Sequence, residues 1–249
     1  MTNLFGEFFG TLVLLSFGCG VCANLTLARS KAVGGGGGGA WIAVTAGWAF
    51  GVLLGVFSAI ATGAPQADLN PAITLSKAMI GVYAPGHALM TMFAQLAGAF
   101  AGACLVWLAY LPHWGITEDK EAKLSIFSTI PAIRKSGSNL VCEIIATTFL
   151  IVLVFVIFSK ELSNGGASFS AGFGPYLVSM LIWALGLSFG GPTGYALNPA
   201  RDLGPRIAHA VLPIAGKGSS QWEYAWIPVV GPMLSGVLAV AIGRGIGIL

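Results

Sequence analysis

Five long windows of this chain contain no charged side chain, and that pattern limits the fold more than any other feature. No Asp, Glu, Lys or Arg occurs in residues 8–28, 32–67, 78–117, 162–200 or 224–243, and Glu143 is the only charge from 136 to 159. A helix that crosses a bilayer needs about 20 mostly apolar residues. Six such helices fit, near residues 4–27, 40–61, 87–110, 138–159, 172–191 and 224–245. Composition agrees, with 56% of the residues hydrophobic and 8% charged, against about 25% charged in a soluble domain. The first span has no basic leader and a longer apolar run than a signal-peptide core, so it reads as a retained helix. A net charge of +3 is too small to point to nucleic acid. Cys19, Cys22, Cys104 and Cys142 all fall in spans, where reduced packing thiols are expected and a disulfide framework is not.

The chain is written twice. Glu7-Phe-Phe-Gly-Thr11 in the first span returns 136 residues later as Glu143-Ile-Ile-Ala-Thr147 in the fourth. Asn70-Pro71-Ala72 returns 128 residues later as Asn198-Pro199-Ala200. Gln95 to Ala99 has a weaker echo in Pro232 to Gly236. The three pairs keep their order, so the spacing predicts two repeats, 1–112 and 137–249, joined by a connecting loop over 113–136. Each repeat holds three spans, an odd number, so the second must enter the bilayer from the opposite face. That is the inverted repeat of many transport proteins. The glycine run from Gly34 to Gly39 reads as a flexible connector.

The two Asn-Pro-Ala motifs sit on segments too short and broken to span, near 70–80 and 198–210. Each reads as an irregular strand, an Asn cap, a Pro at the first helical position and a short helix. Non-helical backbone survives at membrane depth only where protein buries it or a wet cavity borders it. Two half-helices from opposite faces would meet near the midplane, amino end to amino end. Each end carries roughly +0.5 of an elementary charge, which repels cations and protons. The Asn70 and Asn198 amides would then donate to a passing water or hydroxyl oxygen and interrupt a proton-conducting file of water.

On the doubled motif, the Glu-x-x-x-Thr pair and the run from Gly191 to Asp202, the chain resembles the aquaporin and glycerol-facilitator family, also called major intrinsic proteins. The resemblance covers nearly the whole chain. It implies an all-α bundle of six transmembrane helices with two re-entrant half-helices, four copies to an assembly and one pore in each. Asp202 matches the position that marks the glycerol-conducting branch, and Arg201 matches the filter arginine, whose guanidinium donates to hydroxyls and repels cations. By the same alignment Trp48, Gly186 and Tyr195 complete the filter, with Gly186 where water-selective relatives carry a His. That substitution is expected to open the constriction and leave an aromatic corner facing Arg201. Glu7 and Glu143 match buried carboxylates that hold the re-entrant backbone. Carbonyls of Ala67, Asp68, Leu69, Tyr195, Ala196 and Leu197 are expected to form acceptor ladders along the path.

Two features depart from the family pattern. The segment before Asn70 is about two residues longer than usual, and it carries Asp68 where a His is common; Lys77 is the nearest candidate to neutralise it. Lys and Arg number three on the face of the termini (Lys77, Lys160, Arg244) and nine on the other. Counting alone would put the termini outside, whereas the resemblance puts them in the cytoplasm, which is the expectation kept here. The function expected is passive passage of glycerol, water and other small neutral solutes through a cell-membrane tetramer. A strict water channel, or a facilitator tuned to undissociated lactic acid, is the alternative. An ion or proton-coupled carrier has only Asp68 in its favour. No catalytic pair, metal cluster or cofactor motif appears, and His87, His113 and His209 are scattered.

Overall fold

The computed structural model describes residues 2–33, 39–159, 162 and 167–249; most of the glycine run, 34–38, lies outside the described residues. Among the described residues, six helices are long and apolar enough to cross a membrane. They are α1 (Thr2–Thr26), α2 (Gly39–Ala61), α4 (Pro85–Ala109), α7 (Ser136–Ile157), α8 (Ala167–Thr193) and α10 (Ile227–Gly245). Between α2 and α4 lies a short helix α3 (Pro71–Met79), and between α8 and α10 its counterpart α9 (Pro199–Val211). Large apolar side chains such as Phe5, Phe57, Phe93 and Phe149 face outward, while Glu7, Gln95 and Glu143 are fully buried. That reversal of the soluble pattern fits a lipid solvent, which has no water to receive a polar group.

The repeats interlock. Helix α1 packs on α2 and α4, and α7 packs on α8 and α10. Each half-helix crosses over: α3 packs on α10 of the second repeat, and α9 on α4 of the first. Equivalent positions do equivalent work at the seams. A Cβ on Gly98 would stand 2.1 Å from the Phe8 carbonyl, so only glycine lets α4 approach α1 this closely. At the matching place in the second repeat, Ser235 donates to the Ile144 carbonyl at 3.0 Å.

The connecting stretch over 113–136 is more than a loop. Just before and within it lie α5 (Leu111–Trp114) and α6 (Lys120–Phe127). The Asp119 carboxylate caps α6, accepting from Glu121 and Ala122 at 2.9 and 3.0 Å. Leu124, Ile126 and Phe127 turn inward, with the Phe127 ring against Trp114. Lys123 is buried too, its ammonium donating to the Ala215 carbonyl, and burial draws it below the usual lysine value.

Candidate permeation path

The amino ends of α3 and α9 meet. Asn70 and Asn198 cap them in extended backbone, at φ −153° and −147°. Each side-chain oxygen accepts from its own helix: Asn70 from Ala72 at 2.9 Å, Asn198 from Ala200 at 3.0 Å and Arg201 at 3.3 Å. Each amide nitrogen reaches into the other repeat, Asn70 to the Leu197 carbonyl at 2.9 Å and Asn198 to the Leu69 carbonyl at 2.7 Å. One N–H of each amide is left over at the wall of the cavity that both residues line.

That cavity has a volume of about 860 Å³. Trp48, Ala67, Asp68, Leu69, Asn70, Tyr195, Ala196, Leu197, Asn198 and Arg201 of the expected path all border it. Gly186, Asp202, Glu7 and Glu143 do not. Pro71, Pro199 and Ala200 face a separate shallow groove with Leu89 and Phe93 of α4. Ala72 is buried against α10, its carbonyl 2.9 Å from where a Cβ on Gly236 would stand.

The irregular segments before each cap explain how carbonyls come to face the lumen. Glu7 accepts from the Asp68 and Leu69 N–H groups at 2.8 Å each, and Gln95 donates to the same carboxylate at 2.8 Å. Glu143 accepts from Ala196 at 3.0 Å, Leu197 at 3.1 Å and the Thr193 hydroxyl at 2.7 Å. In a planar trans peptide the N–H and the preceding C=O point oppositely. With those N–H groups turned outward, the carbonyls of Ala67, Asp68, Tyr195 and Ala196 turn inward. The Leu69 and Leu197 carbonyls are each engaged by an Asn amide, with a second lone pair remaining. Ala67, Leu69, Tyr195 and Leu197 have φ of 42°, 51°, 42° and 56°. Left-handed backbone costs a non-glycine residue of order 1–3 kcal/mol, and the two carboxylates hold it in place.

At one end of the lumen the Arg201 guanidinium carbon lies 3.8 Å from the centre of the Trp48 ring, a cation–π stack. Its Nη1 donates to the Phe127 carbonyl at 3.3 Å. The Trp48 ring packs tightly on α1, where a Cβ on Gly18 would stand 2.2 Å from it. Arg201 thus covers the Trp48 face. Gly186 differs from the sequence expectation. A Cβ there would meet the Tyr195 ring at 2.9 Å and Thr45 at 2.8 Å, so the glycine makes room for Tyr195. The Tyr195 ring also meets Trp41 edge-on, with centroids 6.0 Å apart.

Asp202, next to Arg201 in the chain, is fully buried. It accepts from Arg206 Nε at 2.8 Å and Nη2 at 3.0 Å, and from the Thr129 N–H and hydroxyl at 2.8 and 2.7 Å. Arg206 continues to the carbonyls of Thr129, Ser220 and Gln221. Sequence reading passed over Arg206, Thr129 and Phe127. The signal available for Arg206 was its spacing, four residues after a buried-type Asp on one helix face. At the opposite end of the lumen Lys77 forms an ion pair with Asp68 and also donates to Gln66. The three histidines stay apart: His87 bonds Asn3, His113 bonds the Ala28 carbonyl and His209 bonds Ser220.

The model of the major intrinsic protein family matches residues 1–242. Glycerol uptake facilitator protein 3 of Lactiplantibacillus plantarum is 47% identical over 236 residues, covering 95% of this chain and 93% of its own. The glycerol uptake facilitator protein of Bacillus subtilis is 46% identical over 236 residues, covering 95% and 81%. Among solved structures, the aquaglyceroporin of Plasmodium falciparum superposes with a TM-score of 0.81 at 26% identity, over 97% of this chain and 94% of that one. With family model, relatives and fold in agreement over nearly the whole length, the chain belongs to the major intrinsic protein family.

Proposed function

We propose that the chain is a passive facilitator of glycerol, water and other small neutral solutes that excludes protons and ions. The observation that carries this reading is the two-sidedness of the lumen. One wall presents inward carbonyls, the Asn70 and Asn198 amides and the Arg201 guanidinium. The other is aliphatic, with Val52, Val56, Leu150, Val154, Val178 and Ile182. Glycerol has the same division, with hydroxyls along one edge and C–H bonds along the other. It can exchange its hydration for wall hydrogen bonds without leaving its carbon edge in a polar setting. Two facing helix amino ends and Arg201 oppose cations at the centre and at one mouth. In this reading Trp48, Tyr195 and Arg201 act as the filter, and the uptake-facilitator names of the relatives fit it. The native form is a homotetramer in the cell membrane with both termini cytoplasmic.

Stopped-flow light scattering on proteoliposomes tests the proposal with a panel of water, glycerol, urea and lactic acid. Glycerol should cross well above the rate of empty vesicles. Water alone crossing fast would replace the reading with a strict water channel.

A further inference from the structure

The segment before Asn70 and the last turn of α3 place three polar side chains at the lumen's end opposite Arg201. Gln66, Asp68 and Lys77 all border the cavity. The Lys77 ammonium spends its three hydrogens on Asp68 Oδ1, the Gln66 carbonyl at 3.1 Å and the Gln66 amide oxygen at 3.0 Å. Asp68 Oδ2 accepts from the Thr74 hydroxyl at 2.8 Å. The Asp68 side chain is fully enclosed and that of Lys77 is 15% exposed. The carboxylate is thus hidden behind the ammonium that answers it.

We infer that Asp68 and Lys77 form a second selectivity station, one that holds this mouth electrically neutral and so sets how the channel treats charged solutes against uncharged ones. The inference rests on the facilitator reading above. The interior needs such balance, because both half-helix amino ends and Arg201 lend it positive character, which favours anions. An unpaired Lys77 would extend that field to the mouth and concentrate monocarboxylates there. An unpaired Asp68 would do the reverse. Among the described residues, the other basic group on this face, Arg244, is solvent-exposed and reaches the Met79 carbonyl at 3.5 Å, so water and salt screen it more fully. Gln66 holds the ammonium in place from the loop side.

The experiment compares wild type, Asp68→Asn, Lys77→Met and the double variant in proteoliposomes, reading the small residual lactate leak that an ion-excluding channel still allows, divided by each preparation's own glycerol flux at neutral pH and low salt. Asn keeps an acceptor for Thr74 while removing the charge. Asp68→Asn should raise the ratio roughly two- to fivefold, the scale of one unit charge near a wet pore mouth. Lys77→Met should lower it by a similar factor, and the double variant should return it to the wild-type value. High salt should shrink each difference. Two singles that move the ratio the same way, a double variant that fails to restore it, or an unchanged ratio throughout would overturn the inference and leave the facilitator reading standing. Wild-type vesicles that pass no glycerol would sink both.

Discussion

The side-chain amide of Asn70 donates to the main chain of Leu197, and Asn198 returns the bond to Leu69. Each asparagine therefore has three tasks: it caps its own half-helix, ties that helix to the other repeat and keeps one N–H for the lumen. The reciprocal pair fixes the distance between two like-signed helix ends that would otherwise repel. It explains why Asn in particular serves here. A Ser cap has too little reach and one hydroxyl hydrogen, and Asp has no donor in its ionised form.

Replacing Asn198 by Ala should remove all three functions at once. Loss of the cap alone costs about 0.5–2 kcal/mol, and the Leu69 carbonyl loses its buried donor. Thermal unfolding in detergent should show a lowered Tm. Glycerol flux per folded molecule should fall as well. An unchanged Tm would mean that the reciprocal bonds carry no net stability.

Arg201 is held from two sides, by the Trp48 face and the Phe127 carbonyl. Arg201→Ala should therefore leave the surrounding wall standing while removing the only fixed positive charge at that end of the lumen among the described residues. Glycerol should still pass, and protons should begin to leak. A pH-sensitive dye trapped in vesicles under a pH gradient measures this directly. A proton conductance equal to wild type would remove Arg201 from the narrowest point.

Much of this was legible from the chain because bilayers simplify the problem. Charge-free windows mark spans wherever water is absent, and the repeated Asn-Pro-Ala marks the two places where helices start inside lipid. What could not be read were contacts made across long separations by backbone atoms. The Phe127 carbonyl that orients Arg201 has no sequence signature, and α6, only eight residues long, sits in a charged stretch that reads as loop. Gly186 illustrates a subtler miss. Its missing side chain suggests open space, yet the structure fills that space with the Tyr195 ring. Asp202 was recognised by position alone, and only the structure shows it anchoring Thr129 and Arg206.

That anchor predicts a large stability effect away from the lumen. Arg206→Met would leave the fully buried Asp202 with Thr129 as its one remaining partner and release the Ser220 and Gln221 carbonyls. Breaking a buried ion pair on one side costs about 3–5 kcal/mol. Detergent-solubilised Arg206→Met should thus unfold at a clearly lower temperature, and adding Asp202→Asn should recover part of the loss. If the second change deepens the loss instead, the pair is not the source of the effect.

Gly186 offers the most direct handle on solute size. Its neighbours leave no room for a methyl group, since the Tyr195 ring would lie 2.9 Å from the new carbon and Thr45 2.8 Å from it. Trp41 meets the Tyr195 ring edge-on and donates to the Gly186 carbonyl at 3.1 Å, which closes that side as well. The ring's remaining freedom is toward the cavity that Tyr195 borders. Gly186→Ala should therefore narrow the lumen beside Arg201 without touching a hydrogen-bonding group. Overpacking of this kind costs about 1–3 kcal/mol of stability where nothing yields, so the ring should give way into the lumen and glycerol flux should fall markedly. Water, needing less width, should lose far less. Stopped-flow measurement of both permeabilities in one preparation gives the ratio directly, and an equal loss for water and glycerol would mean that the substitution disturbs the fold and leaves the filter width alone.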